Sequence, residues 1–418
     1  MLDGALASGL IDQRATFEVF TRSLANGYRY GVVAGTGRLL EELATFRFDE
    51  PTLEWLLAQR VVSPALAHYL ADYRFDGDVV GYLEGEVFTS LSPVLRIDGR
   101  FADIVLETLT LSILNFDSGV ATKAMRVVRA AQGRRLIEMG SRRTNERAAV
   151  AAARASYIAG FDATSNLAAG MLYDIPTAGT AAHAFVLAHE SERAAFGAQI
   201  ATQGPSTTLL VDTFDTEAGT ELAFDVAGPQ LGAIRIDSGV IADAALRARK
   251  LLDQRGATGV KITLTGDLDE YAIADLLRRD IPADTFGVGT KLVSGYTPPG
   301  FVFKLVAIEH GEVMRSVAKR SIGKLSTGGA KVAYRVFHDD VAVTELMVPT
   351  DGHEAMVPPR SRSLTHELVR SGTLMVDSSA RSARLRSQRA IEELPEEAFN
   401  LMEGEPTLTS QVLIDGEA

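Results

Sequence analysis

The sequence predicts an α/β protein whose middle part forms a closed or nearly closed parallel barrel. The first observation is rhythm. Seven short apolar runs close on small or polar residues, and each is followed by a helical pattern, at about 20 to 30 residues per unit. The second is position: the polar motifs fall where a run hands over to a helix, which is where barrels gather their chemistry. The third is contrast, because the chain before about residue 101 mixes strands and helices without strict alternation. A doubly wound open sheet is the alternative, and its sites also lie at strand carboxyl ends. No unit carries Gly-x-Gly-x-x-Gly or a Walker pattern, so neither dinucleotide nor P-loop binding is indicated.

Taken in order, residues 15–22 alternate as a strand and 30–34 as another. Residues 38–43, 52–59 and 63–73 read as helices, 78–97 as strands with turns, and 101–115 as a long apolar helix. The barrel runs are 135–139, 159–161, 177–178, 208–211, 233–236, 260–264 and 285–286. Residues 302–309 form a further strand and 319–331 a basic Gly/Ser-rich loop. Residues 332–390 return to strand-like pieces, with a basic helix at 379–389. This last part is expected to fold back onto the N-terminal one, with an acidic, loosely held tail.

Composition narrows the function classes. The 418 residues are 46% hydrophobic, enough for a large core. The absence of cysteine excludes disulfides, thiolate metal sites and cysteine nucleophiles. A net charge of -12 argues against nonspecific nucleic-acid binding. No uninterrupted apolar run reaches about 18 residues and no signal-peptide layout opens the chain, so a cytoplasmic protein without a membrane span is expected.

The stretch from Asp174 to Glu190 organises the chemistry. An apolar run ends in Gly179-Thr180, and a helix expected from about Ala181 puts His183 in its first turn. Unpaired N–H groups and the positive dipole end make such a start an anion site; a plain helix start with a solvated histidine is the bland alternative. Thr265-Gly266-Asp267 and Gly287-Val288-Gly289-Thr290 end two successive late strands, the usual place for a barrel phosphate site, although ordinary turns also favour glycine. Arg142, Arg143 and Arg235 could hold a carboxylate or phosphate. Alternatively, Arg142 and Arg143 are a solvated pair or bridge to Glu138 or Glu146, and Arg235 pairs internally with Asp237. Asp162, Asp237 and Asp267 are strand-end carboxylates suited to magnesium, or to helix capping. Asn166 orients a ligand or caps a turn, and Lys319, Lys324 and Lys331 close over a polyphosphate or lie in a solvated loop. His189 and Glu190 read as surface residues.

Read together, seven stretches resemble nicotinate phosphoribosyltransferase of the bacterial type. They are Glu138-Met-Gly-Ser-Arg-Arg-Thr144, Gly160-Phe-Asp-Ala-Thr-Ser-Asn166, Ala178-Gly-Thr-Ala-Ala-His-Ala-Phe185, Arg235-Ile-Asp-Ser-Gly239, Gly266-Asp-Leu-Asp-Glu270, Phe286-Gly-Val-Gly-Thr290 and Lys304-Leu-Val306. The resemblance implies the type II phosphoribosyltransferase fold, an irregular α/β barrel plus an α+β sandwich domain built from both chain ends. It divides the chain into 1–105, 106–318 and 319–418. It implies that nicotinate displaces pyrophosphate from phosphoribosyl pyrophosphate to give nicotinate mononucleotide, in NAD salvage. ATP hydrolysis is coupled through a phosphorylated histidine that matches His183, with Mg2+ as cofactor. The nicotinate contacts match Thr180 and Arg235. The sugar-phosphate contact matches Thr290, supported by Gly266 and Gly289, and Arg142 and Asp237 complete the substrate-binding set. A homodimer with shared active sites is implied, with no nucleic-acid or membrane partner.

The chain also departs from the pattern. The family opens with Thr-Asp-x-Tyr-x-x-Thr-Met, and Met1 fits the end of that motif, so a preceding segment is expected. Val240 stands where the family has Asp, and Phe116 and Asn145 where histidines are expected. These departures frame an alternative, a catalytically weakened paralogue that binds nucleotide or partner subunits. A third reading, a barrel lyase or isomerase, asks for a lysine at a strand end, but Lys261 starts its strand.

Overall fold

In a computed structural model, residues 1–319, 327–350 and 357–413 are described. The chain divides into two compact units, Lys123–Tyr296 and the combination of Met1–Thr122 with Thr297–Ala418.

The middle unit holds six short strands: β1 (Arg135–Glu138), β2 (Ala163–Thr164), β3 (Thr208–Leu210), β4 (Ala233–Ile236), β5 (Lys261–Leu264) and β6 (Thr285–Val288). They form one parallel sheet in the order β2-β1-β6-β5-β4-β3. Helices pack over these strands, so Ile234, Ile236, Ile262, Leu264, Phe286 and Val288 are fully buried. That explains why the strands read as nearly continuous apolar runs rather than alternating ones. No ladder joins β2 to β3 among the described residues, so the sheet is a curled half-barrel.

Two of the seven expected runs are corrected. The helix Glu146–Ala159 continues into the run at 159–161 and ends at Gly160, whose φ of 125° suits glycine. The strand begins only at Ala163. The run at 177–178 contributes a single parallel bridge, Thr177 to Thr164, and no strand.

Both chain ends build the other unit. Its seven-stranded sheet runs Val313–Ser316, Val302–His310, Arg14–Phe20, Leu95–Arg100, Asp78–Tyr82, Thr365–Arg370 and Thr373–Leu374. A four-stranded sheet adds Ser361–Ser363, Lys331–His338, Val341–Pro349 and Thr409–Val412. Residues of both sheets, Val79, Ile97, Ala333 and Met347 among them, share one apolar cluster. The two compact units meet at 122/123 and 296/297, where the expected boundaries are 105/106 and 318/319. The reason is pairing: Val302–His310 lies antiparallel to Arg14–Phe20, with Phe17 opposite Leu305.

Lys331 is corrected as well. It opens a strand, buried, with Nζ 2.7 Å from Glu18. Lys324 lies outside the described residues. The apolar pattern at 101–115 becomes a 3-10 turn, Phe101–Leu106, and a helix, Glu107–Ala130. By length and composition this stretch could cross a membrane, but it carries the buried polar residues Asp117, Lys123 and Arg126. Asp117 pairs with Arg38, and Lys123 and Arg126 pair with Glu270. It is thus a helix with internally satisfied charges.

Candidate active site

The carboxyl ends of the parallel strands gather the polar motifs around a cleft of about 650 Å³. Its lining includes Ser141, Arg142, Thr180, His183, Arg235 and Asp237.

Arg235 is the third residue of β4, and its guanidinium makes three bonds in three directions. Nη1 donates to Thr180 Oγ1 at 2.6 Å, Nε to Thr265 Oγ1 at 2.9 Å and Nη2 to Asp237 Oδ1 at 2.8 Å. Thr265 donates in turn to Asp237 Oδ1. Burial works against the charge of Asp237, but the Thr265 hydroxyl and the Arg235 guanidinium outweigh it and hold the carboxyl below its ordinary value.

His183 begins a helix of only five residues, His183–Leu187, and a second helix, Glu192–Gln203, starts from the Ser191 cap. The helix expected from Ala181 is thus shorter and later, because neither Ala181 nor Ala182 has a side chain that can cap it. The His183 side chain is 37% exposed, open to a ligand. Its Nδ1 lies 3.1 Å from Thr213 Oγ1, and its Nε2 lies 3.9 Å from Asp212 Oδ1 and 3.8 Å from Asp237 Oδ2. The Asp212 side chain is 2% exposed. Its Oδ2 accepts from Asp237 N at 2.8 Å and Ser238 Oγ at 2.7 Å, while Oδ1 is buried without a hydrogen-bond partner among the described residues. Such a buried orphan acceptor is uncommon in a folded chain. Asp212 and Thr213 follow the apolar run 208–211 and are among the polar residues on which it closes.

The remaining candidates divide. Arg142 and Arg143 line the cleft, exposed, and neither forms an ion pair with Glu138 or Glu146. Gly266, Gly289 and Thr290 do not line it but end the adjacent strands. A Cβ on Gly266 would strike the Asp237 carbonyl, and one on Gly289 would lie 2.9 Å from that of Met139. Close packing between turns is thus a sufficient reason for both glycines. Thr290 starts the short helix Thr290–Val293. Asp162 accepts from Leu136 N at 2.8 Å. Asp267 is exposed, with φ 48°, and the following helix is capped by Asp269 instead. Among the departures, Val240 is an exposed helix N-cap, Asn145 caps the helix Glu146–Ala159 through its side chain, and Phe116 lies within Glu107–Ala130.

Glu138, expected only as a partner for the arginines, is buried at the end of β1. Its carboxylate accepts from Gly140 N and, at 2.5 Å, from Thr164 Oγ1. Burial pushes the carboxyl up while those two hydrogen bonds pull the other way.

A family model described as the nicotinate phosphoribosyltransferase N-terminal domain matches residues 1–115. Nicotinate phosphoribosyltransferase pncB1 of Mycobacterium tuberculosis is 49% identical over 424 aligned residues, covering 99% of this chain and 93% of its own. The Bacillus subtilis enzyme of the same name is 36% identical, covering 79% of this chain and 70% of its own. Among solved structures, human nicotinic acid phosphoribosyltransferase shares the fold, with a TM-score of 0.81 at 23% identity over 98% of this chain and 95% of that one. The curled half-barrel, the polar cleft at its strand ends and the near full-length identity agree: the chain belongs to the nicotinate phosphoribosyltransferase family.

Proposed function

We propose that this chain joins nicotinate to the ribosyl carbon of phosphoribosyl pyrophosphate, releasing pyrophosphate, with ATP hydrolysis coupled through His183. The observation that carries the proposal is the shared cleft, in which His183, Arg235, Thr180 and Asp237 are linked within one hydrogen-bonded and ion-paired set. The convergence of these four, with the identity to the mycobacterial relative, favours turnover over a weakened paralogue.

The reaction forms a bond between the ring nitrogen and the anomeric carbon and breaks the bond to pyrophosphate through an oxocarbenium-like state. The protein's work is therefore positioning and charge stabilisation. The Arg235 guanidinium, held by Thr180, Thr265 and Asp237, is set to meet a ring carboxylate, which rewards it more than an amide does. Arg142 and Arg143 have no carboxylate partner among the described residues and face the cleft, where they suit phosphate oxygens.

Nδ1 of His183 is engaged with Thr213, which leaves Nε2 as the phosphoryl acceptor. Two carboxylates face that nitrogen and would repel an incoming phosphate. The orphan Oδ1 of Asp212 and Oδ2 of Asp237 fit magnesium, whose chemistry when bound is to neutralise phosphate charge. We infer a homodimer from the family resemblance. We assign the protein to the cytoplasm.

The test is product formation from nicotinate, phosphoribosyl pyrophosphate and magnesium, with and without ATP, with nicotinamide as the competing substrate. Nicotinate mononucleotide is expected, faster with ATP and scarcely from the amide. His183→Ala is expected to retain slow turnover that ATP no longer accelerates. No product from the wild type, or full ATP stimulation of His183→Ala, refutes the proposal.

A further inference from the structure

Around Glu138 a ring of hydrogen bonds closes across two strand-end turns. Its Oε1 accepts from Gly140 N, at the start of the turn that carries Ser141, Arg142 and Arg143. Its Oε2 accepts from Thr164 Oγ1 at 2.5 Å, at the end of β2. Thr164 Oγ1 accepts from Asn166 N at 3.0 Å, and Asn166 Nδ2 donates to Ser141 Oγ at 3.0 Å, back in the first turn. Ser165 N adds a bond to the Glu138 carbonyl at 2.8 Å. The far side of the arginine turn is tied to the segment after β6, where Ser294 Oγ donates to the Arg143 carbonyl at 3.0 Å. Glu138 is buried at 1% exposure, and no lysine or arginine among the described residues pairs with it.

A buried carboxylate without a counter-ion is an expensive way to satisfy one backbone N–H and one hydroxyl. An apolar residue would fill the space, but it would leave the arginine turn held to β2 only through Ser141 and the Glu138 carbonyl. We propose that Glu138 is a positioning residue, which, through Gly140 on one side and Thr164 with Asn166 on the other, fixes the turn that aims Arg142 and Arg143 at the phosphates of the bound ribosyl donor. The proposal rests on the reading of these arginines as phosphate contacts. Glu138 itself touches no substrate and acts only through them.

The test is a binding cycle, with phosphoribosyl pyrophosphate and inorganic pyrophosphate as probes, measured by calorimetry on the full chain. Glu138→Ala is expected to weaken binding of both about tenfold, the size of coupling typical of residues in one network. Glu138→Gln, which still accepts from Gly140 N, weakens it less. In a background where Arg142 and Arg143 are both replaced by Ala, Glu138→Ala has no further effect. A merely structural glutamate would instead give equal losses in both backgrounds, or lower thermal stability with unchanged affinity, and either result overturns the inference. Should Glu138→Ala fail to fold, Thr164→Val removes the hydroxyl donor at constant charge and must show the same vanishing effect in the arginine-free background. A wild type that binds the donor but forms no product would refute the proposed function and leave this cycle readable. A wild type that binds neither probe overturns both.

Discussion

Arg235 shows how much of the site depends on one side chain's geometry. Three nitrogens in a rigid fork reach Thr180, Thr265 and Asp237, which a single ammonium cannot do. Arg235→Lys is therefore expected to lose about 10- to 100-fold in kcat/KM for nicotinate, the value of one or two hydrogen bonds to a charged group. Unchanged kinetics would show that the fork is not what the substrate meets. Asp237 gives a pH test. Its carboxyl is held below its ordinary 3.8 in the folded state, so its contribution to stability is present above 3.8 and is lost as pH falls through the lower folded value. The stability gap between wild type and Asp237→Asn, from urea denaturation, should be constant from neutrality to about pH 5 and shrink below 3.8. A gap that widens on acidification contradicts the assigned partners.

At the scale of strands and turns, the barrel-like sheet was readable because its strands are buried on both faces and end in small residues. Those two properties leave marks in a linear sequence. The errors have equally local causes. The strand expected at 159–161 begins only at Ala163 because the alanine-rich helix Glu146–Ala159 runs to the start of that apolar run, and its last turn, Tyr157-Ile158-Ala159, reads as part of it. The helix Glu107–Ala130 runs past the expected end because beyond residue 115 it carries the buried polar residues Asp117, Thr122, Lys123 and Arg126, which break the apolar pattern. In the site, Thr180, His183, Arg235 and Asp237 stood out by residue type at strand ends. Asp212, Thr213 and Glu138 did not, because their side chains' partners on other strand ends lie 25 to 30 residues away and no spacing rule links them. The glycine turns can be tested at this scale. Gly266 has φ 101° and packs against the Asp237 carbonyl, so Gly266→Ala strains the backbone and pushes the β4 and β5 turns apart. A cost of about 1–3 kcal/mol is expected in chemical denaturation, with weaker ribosyl-donor binding. An alanine variant of native stability and affinity would mean that the two turns can separate freely.

Over the whole chain, the sequence ends meet through charge as well as through strands. Arg335, fully buried, reaches Glu86 at 2.8 Å, Glu345 at 2.6 Å and Glu393 at 3.3 Å. Arg362 joins Glu86 at 2.8 Å and Glu393 at 2.6 Å. Glu86 comes from the N-terminal part and the others from the C-terminal part, so the cluster ties together segments some 250 positions apart, as Arg335 with Glu86 shows (a separation of 249). Tyr82 Oη and Ser92 Oγ complete the shell of Glu345. Burial opposes the charge on Glu86, but Arg335 and Arg362 outweigh it and hold the carboxyl below its ordinary 4.5. Its contribution to stability is therefore present above 4.5 and lost as pH falls through the lower folded value. Arg335→Met keeps much of the volume but removes the cation from three carboxylates at once. Breaking one side of a buried ionic cluster is expected to cost about 3–5 kcal/mol at neutral pH, read from urea denaturation. The penalty should shrink in mild acid, where an unpaired buried carboxylate can take up a proton. A variant as stable as the wild type at neutral pH, or one whose deficit grows on acidification, would show that strand pairing alone holds the two ends together.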